Sequence, residues 1–383
     1  MTDGAQEPAA AAPAASQDDS RDDWRFMQLA LALGRRGLGR TWPNPAVGAV
    51  IVKDGVIVGR GWTQPGGRPH AEAEALKRAG KAAQGATLYV TLEPCSHHGK
   101  TPPCADAIIK VGIARVVSAL EDVNPQVAGQ GHARLRERGI VVETGLGAED
   151  AARDHAGHSR RMREGRPQVL LKLAASSDGK AGLAGRKPVG ITGEAARQRV
   201  HQMRAEADAI LVGIGTILSD DPHLTCRLPG MFARSPVRVV LDARLRIPLS
   251  TAIVGTAREV PVWVFTGPGA SPVAEDILKA KGVEVFRVEA KDGRLDLPAV
   301  LKALADRGVT RLMVEGGPTV AAAFIAAGLV DQAALFRSPN EIGHGGIGVL
   351  EGVPLTALTK SPKLQHLATE TVGVDTLDLF ERV

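Results

Sequence analysis

Apolar positions recur at helical spacing over residues 24–40, where Phe26, Leu29, Ala30 and Leu33 share one face. Thr41-Trp42-Pro43-Asn44-Pro45 breaks that pattern. Two β-rich runs, Val47 to Val52 and Val56 to Arg60, then flank Lys53-Asp54-Gly55, and Asp-Gly between such runs signals a hairpin. His70 to Ala79 reads as a helix with Ala73 and Leu76 inward. Thr87 to Leu92 reads as a strand, Cys104 to Val111 as a helix, and Ala114 to Leu120 and Ile140 to Thr144 as strands. Strands then alternate with helices a second time. Strands are expected at Gln168 to Ala175, Ala209 to Val212, Val237 to Leu241, Val260 to Phe265, Val283 to Val288, Arg311 to Val314, Asp331 to Phe336 and Thr376 to Phe380. Helices are expected at Glu194 to Ala205, Leu297 to Asp306 and Thr319 to Ala327. Two successive alternations argue for two α/β domains, as 383 residues would suggest.

The boundaries follow from what lies between the patterned stretches. Residues 1–23, rich in Ala with Pro, Ser, Asp and Gln, carry no packed pattern and read as a disordered tail. The first domain is placed at 24–150 and the second at 166–383. The basic stretch 151–165, with His155 and His158, reads as a linker on the surface, phosphate binding being the alternative. The tail matches neither a secretory nor a mitochondrial leader, and no apolar run is long enough to span a bilayer, so a cytoplasmic protein is expected. Net charge of +5 is spread along the chain, and aromatics are 3% with one Tyr, which argues against nucleic acid as a partner. Three cysteines suit metal binding or burial better than disulfides, and the lone Cys226 is expected simply to pack.

The candidate chemistry lies in Pro69-His70-Ala71-Glu72 and in the segment from Glu93 to Cys104. His70, Cys95 and Cys104 supply an imidazole and two thiols, a three-ligand zinc set with an open fourth position. His70 and Cys104 each open an expected helix, whose partial positive charge favours a thiolate. Zinc there would bring the pKa of a water to about 7. Glu72, two residues beyond His70, would carry the proton from that water to a leaving amine, the His-x-Glu and Pro-Cys arrangement of zinc deaminases. A closed structural site, with His97 or His98 as fourth ligand, is the competing reading.

Eight residues separate the two cysteines, more than the Pro-Cys-x-x-Cys of deaminases in general. That loop, Ser96-His97-His98-Gly99-Lys100-Thr101-Pro102-Pro103, resembles the bifunctional riboflavin-biosynthesis family, a pyrimidine deaminase fused to a 5-amino-6-(5-phosphoribosylamino)uracil reductase. Thr41-x-Pro43-Asn44-Pro45-x-Val47-Gly48 and Asn124-Pro125-x-Val127-x-Gly129-x-Gly131 are similar to the same family. In the second half Lys172-x-Ala174-x-Ser176-x-Asp178-Gly179, Ile191-Thr192, the segment from Thr216 to Arg227, and Val314-Glu315-x-Gly317-Pro318-Thr319 resemble its reductase.

The resemblance implies a cytidine-deaminase-like three-layer domain followed by a dihydrofolate-reductase-like domain, with Zn2+ and NADPH as cofactors. It implies deamination of a diaminopyrimidine ribosylamino 5′-phosphate, then reduction of the ribosyl to a ribityl chain. Asn44 would hold the deaminase substrate, and Lys100 is a candidate for its phosphate, with plain solvation the alternative. Ala174, Thr216, Asp220, Ala243, Gly317, Pro318, Thr319, Val320, Ala321, Ala322 and Ala323 would contact NADPH. Lys172, Arg204, Leu224, Arg227 and Glu315 would contact the reductase substrate, with both arginines on its phosphate, as a planar guanidinium suits. Pro188 and Gly190 depart from the family pattern, which leaves a degenerate reductase as an alternative. A nucleoside or tRNA deaminase with an appended domain is the other. The expected partner is a small phosphorylated pyrimidine, with no nucleic acid, no membrane, and room for a homo-oligomer.

Overall fold

The structure, a computed structural model, describes residues 17–97, 99, 102–183, 189–291 and 293–383. Residues 1–16 of the expected tail, and His98, Lys100, Thr101 and Pro188, lie outside the described residues.

Alternating apolar residues build the first sheet. Its five strands run in the order Val56–Trp62, Gly48–Lys53, Thr87–Val90, Arg115–Ser118, Val141–Thr144, the first two pairings antiparallel and the rest parallel. Asp54 and Gly55 both take left-handed backbone (φ 51° and 75°), the geometry that an Asp-Gly hairpin turn requires. Because side chains alternate across a strand, Ala49 and Ile51 bury on one face and Val50 and Val52 on the other. The first face packs on helices Ala71–Ala79 and Cys104–Val111 through Ala75, Ala105 and Ile108. The second packs on helix Gln17–Arg35 through Phe26, Met27, Ala30 and Leu33. Helix, sheet and helix make three layers. Truncating a fully buried member such as Ile51 to Ala would cost about 2–5 kcal/mol.

The second sheet has nine strands among the described residues, in the order Val283–Arg287, Val262–Thr266, Val237–Leu241, Ala209–Gly213, Arg311–Gly316, Gln168–Ala175, Gln332–Arg337, Asp375–Arg382, Leu364–Val372. The first seven are parallel, and the last two pairings are antiparallel. Apolar clusters lie on both faces, one holding Leu171, Leu211, Phe265 and Phe324 and the other Ile210, Val212, Val240 and Val264.

Several details differ from the sequence expectation. The first helix begins at Gln17, so residues 17–23 continue it. Asp23 explains the extension, since its carboxylate receives both ends of the Arg115 guanidinium, at 2.9 and 2.5 Å, and the Tyr89 hydroxyl. Ala73 is exposed, and the buried face of its helix is Ala71, Ala75, Leu76 and Ala79, with Glu72. Residues 151–165 are not an open linker. They form most of helices Ala148–Asp154 and Ala156–Glu164, and His155 and His158 are buried (2% and 7% exposed). The His155 Nε2 lies 3.1 Å from Thr91 Oγ1, and the His158 Nε2 lies 2.9 Å from Asp122 Oδ1.

Backbone meets backbone where the two sheets' layers join. A Cβ on Gly157 would lie 2.7 Å from the Thr310 carbonyl oxygen, and one on Gly39 would lie 2.5 Å from that of Ala205. Arg234 adds bonds to the Arg36 and Leu38 carbonyls, and Trp42 meets Trp263 edge-on.

Candidate functional site

Three local structures bring the ligand candidates together. His70 precedes helix Ala71–Ala79, Cys104 opens helix Cys104–Val111, and Cys95 follows the end of strand Thr87–Val90. The His70 Nδ1 lies 3.6 Å from the Cys95 sulfur and 3.4 Å from the Cys104 sulfur. Zn–N of about 2.05 Å and Zn–S of about 2.3 Å at a tetrahedral angle place nitrogen and sulfur about 3.6 Å apart. The three side chains therefore fit a zinc ion. Among the described residues no fourth ligating atom joins them, so the set is open.

The electrostatics agree with the donor set. The Cys104 thiol, then the His70 ring and the Cys104 backbone N–H at 3.3 Å, hold the Cys95 thiol down to about 4 against the effect of burial. The same hydrogen bond between the two sulfurs, together with burial, pushes Cys104 well above its ordinary value. The bond to Cys95 raises His70. Glu72 is 3% exposed, and burial pushes its carboxyl up to about 6. A carboxyl so placed exchanges protons near neutral pH.

His70, Glu72 and Cys95 open on a cavity of about 220 Å³ that Asn44, His97, Asn124 and His158 also line. Asn44 is held by a 2.7 Å bond from its Nδ2 to the Gly67 carbonyl, and the same nitrogen lies 3.5 Å from His70 Nε2. Glu93 is the residue that sequence reasoning passed over. Its carboxylate accepts four backbone N–H bonds, from Asp122, Gly129, Gly131 and His132, at 2.8–3.2 Å. It thereby pins the Asn124–Gly131 segment against the metal loop. A Cβ on Gly131 would lie 2.0 Å from the Pro94 carbonyl, which is why that motif ends in glycine. The signal was Glu93 standing beside Pro94-Cys95 with the Asn-Pro-x-Val-x-Gly-x-Gly run downstream.

A second cavity, of about 450 Å³, lies over the middle of the nine-stranded sheet. Lys172, Ala174, Arg204, Thr216, Asp220, Leu224, Glu315, Gly317, Pro318, Thr319 and Val320 line it, and so does Gly190. Gly316 and Gly317 take left-handed backbone (φ 69° and 59°) between strand Arg311–Gly316 and helix Pro318–Ala326. A Cβ on Gly317 would lie 3.0 Å from Thr216 Oγ1, and one on Gly213 would lie 2.8 Å from Val320. Two backbone turns thus close on each other at a helix N-terminus, a cradle that fits the phosphates of NADPH.

Ala243, Ala321, Ala322, Ala323 and Arg227 do not line this cavity. Ala321 packs in the core, and Ala322 and Ala323 line a separate depression beside Arg294. Ala243 follows a strand farther along the sheet, and Arg227 is exposed. Arg204 also differs from expectation. Its guanidinium is bound to Glu315, at 2.6 and 2.8 Å, and to the Thr225 carbonyl. Burial acts to raise Glu315, but the charge and bonds of Arg204, with Lys172 nearby, bring it below the ordinary carboxylate value. Burial lowers the ammonium pKa of Lys172.

Comparison with known proteins matches the chain on both halves. The family described as RibD C-terminal domain matches residues 167–377, and the cytidine and deoxycytidylate deaminase zinc-binding region matches residues 20–120. A riboflavin biosynthesis protein RibD of Bacillus amyloliquefaciens is 45% identical over 351 residues, 91% of this chain and 94% of its own length. That of Escherichia coli is 40% identical over 365 residues, 92% and 97% of the two chains. Among solved structures, Acinetobacter baumannii RibD superposes with a TM-score of 0.84 at 36% identity, over 95% of this chain and 99% of its own. A Thermotoga maritima diaminohydroxyphosphoribosylaminopyrimidine deaminase/5-amino-6-(5-phosphoribosylamino)uracil reductase does so with 0.82 at 36%, over the same shares.

Proposed function

The chain belongs to the RibD family of riboflavin biosynthesis proteins, and on that footing we propose which of its residues perform the two reactions of a bifunctional deaminase and reductase. The substrate of the first is 2,5-diamino-6-ribosylamino-4(3H)-pyrimidinone 5′-phosphate. The observation that carries this reading is the convergence of His70, Cys95 and Cys104 at zinc-ligand separations, with Glu72 buried at the same cavity.

His70, Cys95 and Cys104 would hold zinc, which would supply the Lewis acidity that brings a water's pKa to about 7. Glu72 accepts the proton that the attacking water gives up and passes it to the exocyclic amine. The ring carbon gains an oxygen, and the amine leaves as ammonia. A pKa of about 6 lets Glu72 both take and return that proton. Asn44, fixed by Gly67, orients the pyrimidine.

The second cavity would hold NADPH, which would supply the hydride for the reduction. Ala174, Thr216, Asp220 and the turn from Gly317 to Val320 hold the cofactor. Lys172, Leu224 and Glu315 face the sugar, and Arg204 keeps the Glu315 carboxylate ionised and aimed. The deaminase residues are assigned to 24–150 and the reductase residues to 166–383, with helix Ala156–Glu164 between them. We place the enzyme in the cytoplasm, acting on small phosphorylated pyrimidines.

The test supplies the diaminopyrimidine ribosylamine phosphate and follows ammonia release and NADPH oxidation together. Both signals are expected, ammonia first. Ammonia without NADPH oxidation would reject the reductase half, and cytidine or tRNA turned over in place of this substrate would reject the assignment.

A further inference from the structure

Helix Ala156–Glu164 contributes no strand to either sheet, yet it supplies His158, Arg161 and Met162 to the wall of the deaminase cavity. Five arginines lie between residues 153 and 166. Arg153 is engaged by Glu149 and Glu381, and Arg160 and Arg166 by Glu164 and Asp331. Arg163 is exposed and outside the cavity wall. Arg161 alone of the five lines the cavity.

Its Nε donates a 2.7 Å bond to the Ala305 carbonyl, on the reductase side of the domain joint. That uses one of five guanidinium N–H groups. The four on its Nη atoms have no carboxylate or carbonyl partner among the described residues. The acids on the same wall do not claim it. Glu93 is saturated by four backbone N–H groups, and Asp122 is held by His158 and the Asn124 N–H. Arg68, the other arginine on the wall, has an intramolecular interaction of its own.

What a planar fork with two free Nη atoms does well is hold an oxyanion through paired bonds. The only formal charge on a pyrimidine ribosylamine phosphate is its 5′-phosphate. We infer that Arg161 binds the 5′-phosphate in the deaminase cavity and sets that site's preference for phosphorylated over dephosphorylated substrate. The inference rests on the substrate reading given above. It also means that the reductase domain, through Ala305, fixes the aim of a deaminase residue.

The test compares the full-length zinc enzyme with Arg161→Ala and Arg161→Lys on the phosphorylated substrate and on its dephosphorylated ribosylamine. Loss of a paired charge-assisted contact raises KM roughly 10- to 100-fold. That rise is expected for Arg161→Ala with the phosphorylated substrate, with kcat within about threefold. The dephosphorylated substrate should keep its wild-type kcat/KM, and Arg161→Lys should recover part of the phosphate preference. Zinc content and NADPH oxidation with supplied 5-amino-6-(5-phosphoribosylamino)uracil report folding; if Arg161→Ala fails them, Arg161→Lys and Arg161→Gln carry the comparison. Equal losses on both substrates, the mark of a merely structural role at Ala305, or an unchanged phosphate preference would overturn the inference. A wild-type enzyme inert towards the phosphorylated substrate would instead reject the functional reading beneath it.

Discussion

Arg204 grips Glu315 by two parallel bonds of 2.6 and 2.8 Å, and the two side chains are only 11% and 10% exposed. Removing one partner of such a pair strands a buried charge, which costs about 3–5 kcal/mol. Arg204→Ala is expected to lower stability by that order in urea denaturation and to abolish NADPH oxidation. The double substitution Arg204→Met with Glu315→Leu should recover most of the stability and none of the reduction. Stability that stays low in the double variant would show that the pair does more than neutralise itself.

Glu72 sits beside the ligand set without joining it. Glu72→Gln keeps the shape and removes the proton carrier. Ammonia release is expected to fall by about 10²–10⁴-fold, with one zinc per chain still measured by elemental analysis. Loss of the metal along with activity would make Glu72 a ligand and sink its assigned role.

Zinc removal should separate the two reactions. The ligand candidates His70 and Cys95 line one cavity, with Cys104 beside them, and Lys172 and Glu315 line another. Dialysis against a chelator should stop ammonia release while NADPH oxidation with supplied deaminated intermediate continues. Cys104→Ser should behave in the same way. Parallel loss of both activities would contradict independent sites.

His155 gives the protein an acid limit. Burial, then the neighbouring His158, holds its ring down to about 4 from an ordinary 6.5. The unfolded chain binds the proton first as pH falls, so this residue's favourable contribution is complete above pH 6.5 and is lost towards pH 4. The span amounts to about 3 kcal/mol. Denaturation midpoints measured from pH 7 to pH 4 should fall more steeply in wild type than in His155→Gln. Identical slopes would remove His155 from the account.

Asp23 ties the first helix to the sheet through Arg115 and Tyr89. Asp23→Ala is expected to cost about 1.5–3 kcal/mol, the range for hydrogen bonds to a charged group, and deletion of residues 1–23 should cost at least as much. A deletion variant of unchanged melting temperature would return those residues to the tail.

Much of the architecture was legible because local pattern decides it. The alternation of Ala49, Val50, Ile51 and Val52, the Asp54-Gly55 turn, and strand Gln168–Ala175 lie where periodicity puts them. So do two of the ligand candidates, His70 just before one helix and Cys104 opening another, where the pattern marks them. What local pattern does not encode is pairing across distance. Arg204 and Glu315 are 111 residues apart, and each alone reads as a free charge. His155 and His158 looked solvated because their neighbours are arginines, whereas the imidazoles bury against Thr91 and Asp122. Ala73 failed for a smaller reason, because alanine is equally at home on either face of a helix.

The close approaches at Gly39 and Gly157 leave no room for a side chain between the halves. Main chain rests on main chain there, so a larger residue at either position would have to wedge the two domains apart.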